Sequence, residues 1–193
     1  MIKVKNIQFL AITVMLLFMT ACSKNESNTA LSNEALRICG SWAYIHDKET
    51  AIAVFQEDGT AKYEGKDYSF ECDNEFIKLK DTEGETIKVR YELDDEGMYL
   101  YSNKVYTYNS EGEPENLVGE WLCAEKNWSF IFTEEGTFME DGFFSGYYTV
   151  DDKESTIKLV YTEQFEDTVC YFRLEESKLH IEYPWRMVKI SSK

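Results

Sequence analysis

One β pattern occurs twice in this chain, and that duplication limits the possible folds more than any other feature. Gly40-Ser-Trp42 matches Gly119-Glu-Trp121, and Phe55-Gln-Glu-Asp-Gly-Thr60 matches Phe132-Thr-Glu-Glu-Gly-Thr137. Tyr68-Ser-Phe70 aligns with Tyr148-Thr-Val150, Ile77-Lys-Leu79 with Ile157-Lys-Leu159, and Leu93 with Leu174. The offsets drift from 79 through 77 and 80 to 81, as insertions in hairpin loops produce while strands keep register. Within each copy the apolar residues recur with period two, in Ala51–Phe55, Phe76–Leu79, Ile87–Leu93, Ser129–Phe132 and Ile157–Tyr161. Turn signals such as Glu57-Asp-Gly59, Asp95-Glu-Gly97 and Glu135-Gly136 separate them.

This spacing predicts an all-β protein of antiparallel meanders: repeat 1 over 39–109, a linker over 110–118 and repeat 2 over 119–193. The linker contains Ser-Glu-Gly-Glu-Pro-Glu-Asn, broken by Pro114. About eight short strands fit each copy, and a closed sheet of that size has room for little more than its own side chains. The inward set of repeat 1 reads Trp42, Phe55, Tyr68, Phe70, Ile77, Leu79, Val89, Tyr91 and Leu93, all bulky, so a filled interior is expected. Two small tandem barrels are the first expectation; one larger sheet shared by both copies is the second.

The opening Gly-x-Trp of each copy resembles the first strand of lipocalin-like proteins. The resemblance implies an eight-stranded barrel with the tryptophan packed at its closed end, often under an arginine from the last strand. Carried onto this sequence, Trp42 and Trp121 take the barrel-end positions and Arg186 covers Trp121. Val105 aligns with Arg186, so Trp42 lacks that cover. The repeated pattern is also similar to tandem lipocalin-like domains of bacterial lipoproteins of unknown function.

The N-terminus has a different character. Lys3 and Lys5 precede an apolar run from Phe9 to Met19, the layout of a secretory signal peptide over 1–21. Such a run makes a helix of about 16 Å, short of a hydrocarbon core of about 30 Å. Met19-Thr-Ala-Cys22 resembles the lipobox of bacterial lipoproteins, which implies lipidation of Cys22 and a membrane anchor of two acyl chains. Residues 22–38 then read as a polar tether and a short helix capped by Ser32. The resemblance implies a site in the cell envelope, outside the cytoplasm.

Charge excludes one class of partner. With 36 acidic and 20 basic side chains the net charge is −16, and loss of Lys3 and Lys5 with the signal takes it to −18. Nucleic acid is repelled. Four cysteines remain, and strand parity points Cys123 and Cys170 inward, where they either pair as a disulfide or stay as buried thiols. Cys39 and Cys72 have no counterparts in the other copy. His46 and His180 stand in no metal-ligand array, and Ser145 is not in a nucleophile elbow. No catalytic constellation, metal site or cofactor motif is present, so the chain reads as a non-enzyme.

The remaining candidate is aromatic. If a turn falls at Ser102-Asn103, then Tyr99, Tyr101, Tyr106 and Tyr108 share one exterior face, which either packs against repeat 2 as the interface between the copies or serves as a candidate binding surface. The expected function is a lipid-anchored binding module for a glycan, a hydrophobic small molecule or a protein. The alternative is a structural or inhibitory envelope lipoprotein acting through protein contacts.

Overall fold

The computed structural model describes residues 31–162 and 165–191. The expected signal peptide, the expected lipidation at Cys22 and the expected tether up to residue 30 lie outside the described residues. None of the described helices is long and apolar enough to cross a membrane.

The chain enters through the short helix α1 (Asn33–Ile38), whose N-cap Ser32 accepts from the Ala35 N–H at 3.1 Å. Ala35 and Ile38 are its buried face. Fourteen antiparallel strands follow among the described residues. Repeat 1 supplies β1 (Gly40–Tyr44), β2 (Ala53–Phe55), β3 (Thr60–Tyr63), β4 (Lys66–Cys72), β5 (Phe76–Lys80), β6 (Thr86–Leu93) and β7 (Met98–Tyr108). Repeat 2 supplies β8 (Gly119–Cys123), β9 (Trp128–Phe132), β10 (Thr137–Glu140), β11 (Phe144–Asp151), β12 (Thr156–Tyr161), β13 (Thr168–Glu175) and β14 (Lys178–Ile190).

All fourteen strands belong to one sheet closed into a ring, in which each strand pairs with its chain neighbours and β1 meets β14. The strands therefore do not segregate into one sheet per repeat. One further pairing crosses the ring: β7 runs beside β14 from Met98↔Met187 to Lys178↔Thr107. The expected turn at Ser102-Asn103 is absent, because both residues are paired within this long ribbon, to Tyr183 and Glu182. Ser102 thus faces its own counterpart from the other repeat.

The consequence is an exchange of last strands. The first half of β7 pairs with β6, but its second half pairs with β8 of the other repeat. Likewise the first half of β14 pairs with β13 and its second half with β1. Pro184 falls between those two partners, where that edge of β14 is changing neighbours and a missing N–H is tolerated. One circuit of eight strands runs through β1 to β7 and β14, the other through β7 to β14.

Each circuit encloses its own apolar cluster. The first gathers Trp42, Phe55, Phe70, Ile77, Leu79, Val89, Tyr91 and Leu100, with Tyr68 and Leu93 partly buried against them and Met187 arriving from β14. The second gathers Trp121, Phe130, Phe132, Phe138, Ile157, Leu159, Leu179 and Ile181, with Tyr106 arriving from β7.

The recurrent Gly-x-Trp has a physical cause in this exchange. The Trp42 Nε1–H donates to the Ile38 carbonyl at 2.7 Å, and the Trp121 Nε1–H to the Leu117 carbonyl at the same distance. Gly40 and Gly119 sit at φ 132° and 130°, a backbone region open to glycine. A Cβ there would meet Lys189 at 2.3 Å in one repeat and the Tyr108 ring at 2.4 Å in the other. Lys189 and Tyr108 are equivalent positions of β14 and β7, each lying on the other repeat's first strand.

The hairpin pairings also shift one match. Phe70 and Tyr148 are the equivalent pair, since their N–H groups bond to the carbonyls of Gly59 and Gly136. The pairing of Tyr68 with Tyr148 is out by two residues, and the extra length of repeat 2 sits in the β11–β12 hairpin.

Candidate functional site

The four tyrosines of β7 do not share an exterior face. Because β7 passes straight from one cluster to the other, Tyr106 is buried in the second cluster, and Tyr108 packs on Trp121 with centroids 4.9 Å apart. Tyr101 is buried on the opposite side of the strand, donating to Glu92 at 2.8 Å and lying 5.5 Å from Tyr171. Tyr99 is half-buried beneath Arg186, whose guanidinium stands 4.6 Å from its ring centroid.

Arg186 accordingly does not cover Trp121. It is clamped on Asp94 by two bonds of 2.6 and 2.8 Å, which hold that carboxyl at about 2, well below the usual range. Trp121 lies under Tyr108, and Trp42 lies under Lys189 with the ammonium 5.4 Å from the ring centroid. The strand exchange moves each cover residue to the repeat that does not encode it.

The disulfide between Cys123 and Cys170 is not formed; all four described cysteines are free thiols. Cys123 on β8 and Cys170 on β13 have β7 and β14 between them in the sheet. Three strand spacings of about 4.8 Å exceed the reach of a disulfide. Both are buried, and burial pushes the Cys170 thiol up. His46 lies exposed in a turn. His180 is on β14 with both ring nitrogens unpartnered; burial and then Arg173 lower its pKa, so the 3.5 Å approach to Glu175 joins no cation to that carboxylate. The described residues contain no group of His, Cys, Asp and Glu arranged to hold a metal.

A different aromatic array is present where the ribbon passes from one circuit to the other. Tyr44 of β1 lies 5.5 Å from Trp185, which lies 5.4 Å from Tyr183 on the same strand. The Tyr183 hydroxyl reaches that of Tyr161 at 3.2 Å, and the Tyr161 ring meets Phe165 at 5.7 Å. Phe165 in turn meets Phe144 edge-on at 5.2 Å. The result is an unbroken track of six aromatic residues, drawn from β1, β14, β12, β11 and the β12–β13 connection.

Polar groups border the track. Tyr161 donates to Glu140 at 2.7 Å, so the Tyr183 hydroxyl donates to Tyr161. Burial, with Asp141 nearby, raises the Glu140 pKa against the lowering effect of the Tyr161 bond. Trp185 donates its indole N–H to Ser102 at 3.2 Å. Much of the track remains open to solvent: Phe165 is 54% exposed, Trp185 40% and Phe144 38%. Large aromatics in a packed core are covered, so half-exposed rings along one line of aromatic contacts mark a surface with spare binding capacity.

Sequence reasoning missed this array because its members come from five segments and neither repeat carries it alone. A signal was present in Phe143-Phe144 and Phe165, which interrupt otherwise polar connections. No family model, curated protein or solved structure matches this chain.

Proposed function

We propose that this protein is a lipid-anchored, non-enzymatic binding module of the bacterial envelope, and that it takes its ligand on the aromatic track. The signal layout before Cys22 and its lipobox resemblance support the anchor and the site outside the cytoplasm. In this reading each circuit is a lipocalin-like barrel that borrows its last strand from the other repeat. The observation that carries the binding role is the track itself: open rings at Trp185, Phe165 and Phe144, joined through the partly buried Tyr183 and Tyr161 and bordered by hydroxyls and a carboxyl. The two interiors are occupied by their own side chains, which favours a ligand on the surface over one in the barrel.

A second reading, contact with a protein partner, is favoured by the outer face of repeat 2. There Ile131 and Met139 pair across β9 and β10, with Tyr147 beside them, all three exposed. Phe143 at the adjoining turn is 82% exposed.

A ligand screen by NMR on the full chain separates these readings, using saccharides, apolar small molecules and peptides. Ligands lost on combining Phe144→Ala, Phe165→Ala and Trp185→Ala support the track. Ligands that bind wild type and variant alike, or no ligand of any class, overturn it.

A further inference from the structure

We propose that the aromatic track accepts an uncharged saccharide chain, an inference that rests on the binding role assigned to the track above.

The chemistry of the border selects this class. A sugar ring has an apolar C–H face and a rim of hydroxyls, so it needs an open aromatic surface with donors and acceptors beside it. Trp185, Phe165 and Phe144 offer the open rings. Glu140, the Tyr161 and Tyr183 hydroxyls and Ser102 stand along the same row. Five successive contacts carry the row from β1 to β11, a layout that fits a chain of several rings better than one compact molecule.

Other ligand classes fit less well. A compact apolar ligand needs a concave site that encloses most of its surface, and half-exposed rings along an open row do not provide one. An extended peptide binds best by adding a strand to a free sheet edge, and this sheet closes on itself. Anionic ligands, acidic polysaccharides included, are disfavoured by a chain of net charge −16. An organic cation needs a firm counter-charge. Glu140 is a weak one, being half-buried and already accepting a hydrogen bond from the Tyr161 hydroxyl.

The test is titration of the full chain with neutral gluco-, manno- and N-acetylglucosamine oligosaccharides of increasing length, followed by NMR and calorimetry, with oligouronates as the anionic probe. The expected result is binding of at least one neutral series, tightening with chain length, and none of the uronates. Phe165→Ala and Trp185→Ala should each weaken it about two- to tenfold, the range of one aromatic contact. Phe165 is half-exposed in a connection, so its variant keeps the fold even if Trp185→Ala does not, and circular dichroism checks both.

Absence of saccharide binding overturns the saccharide inference alone if an apolar or peptide ligand is still lost in the track variants. Saccharide binding that both variants retain overturns the inference and the track together. Equal binding of neutral and acidic chains overturns the charge argument and with it the assignment to uncharged sugars.

Discussion

The two repeats have the same skeleton and present different surfaces. Gly40 and Gly119, the two tryptophan-to-carbonyl bonds and the β2–β3 and β9–β10 turns superpose residue for residue in role. Outside, Val54, Lys62, Ser69, Lys80 and Lys88 of repeat 1 stand where repeat 2 has Ile131, Met139, Tyr147, Val160 and Val169. At the end nearest the ribbon centre, Tyr63 and Lys66 correspond to Glu140 and Phe144. Positions that close the sheet are held in common, whereas positions free of that duty differ, and the differences concentrate apolar and aromatic surface on repeat 2.

The largest test of this comparison asks whether the repeats are separable at all. Cleavage at a protease site inserted near Glu113 should leave two fragments that co-elute in equal amounts by gel filtration, because each supplies the other's closing strand. Independent elution would mean that each repeat closes on its own strand. A cysteine cross-link gives the same answer at residue level. Ser41→Cys should bridge to Ile190→Cys, its cross-strand partner, and not to Asn109→Cys.

Next in size, Trp121→Ala and Trp42→Ala should each cost about 3–5 kcal/mol in urea unfolding, as buried aromatics do. Both should lower a single shared transition. Two separate transitions, each sensitive to one tryptophan, would break the exchanged arrangement.

Glycine substitution should then tell the repeats apart. Gly119→Ala drives a Cβ into the rigid Tyr108 ring, and Gly40→Ala into the flexible end of Lys189. Both incur the strain of a positive φ, and the Gly119 variant should lose about 1–2 kcal/mol more. Equal losses in thermal unfolding would show that Tyr108 gives way as easily as lysine.

The smallest effect is in pH, and its sign differs between the repeats. Asp94 is held at about 2 against 3.8 unfolded, so its clamp on Arg186 stabilises above pH 3.8 and is lost as pH falls toward 2. Glu140 is raised above 4.5, so the folded state holds its proton more tightly and stability falls as pH rises through that shift. Glu140→Gln should remove the second slope and leave the first; denaturation curves across pH 2–7 that kept both would place the slope elsewhere.

Much of this was legible because it is local. Period-two apolarity, glycine turns and the paired Gly-x-Trp marked the strands and the inward set of the first cluster. The partner of each first strand was not legible. Met187 and Lys189 on β14 sit where Tyr106 and Tyr108 sit on β7, and both strands carry the same alternation, so nothing in either one names which repeat it closes. The failed readings on β7 and β14 trace to that ambiguity. Tyr106 and Tyr108 went inward, Arg186 turned to Tyr99, and Trp185 came beside Tyr44 to join the aromatic row.

The meeting of β1 with the end of β14 has one more consequence. Ser41 and Ile190 face each other across that pair, so the sheet begins and ends at one place. A loop from the end of β14 back to the start of α1 would turn this body into a circle, and reopening that circle in the linker over 110–118 would put repeat 2 first without moving a strand. The order in which the two repeats are encoded is therefore not needed to specify the sheet.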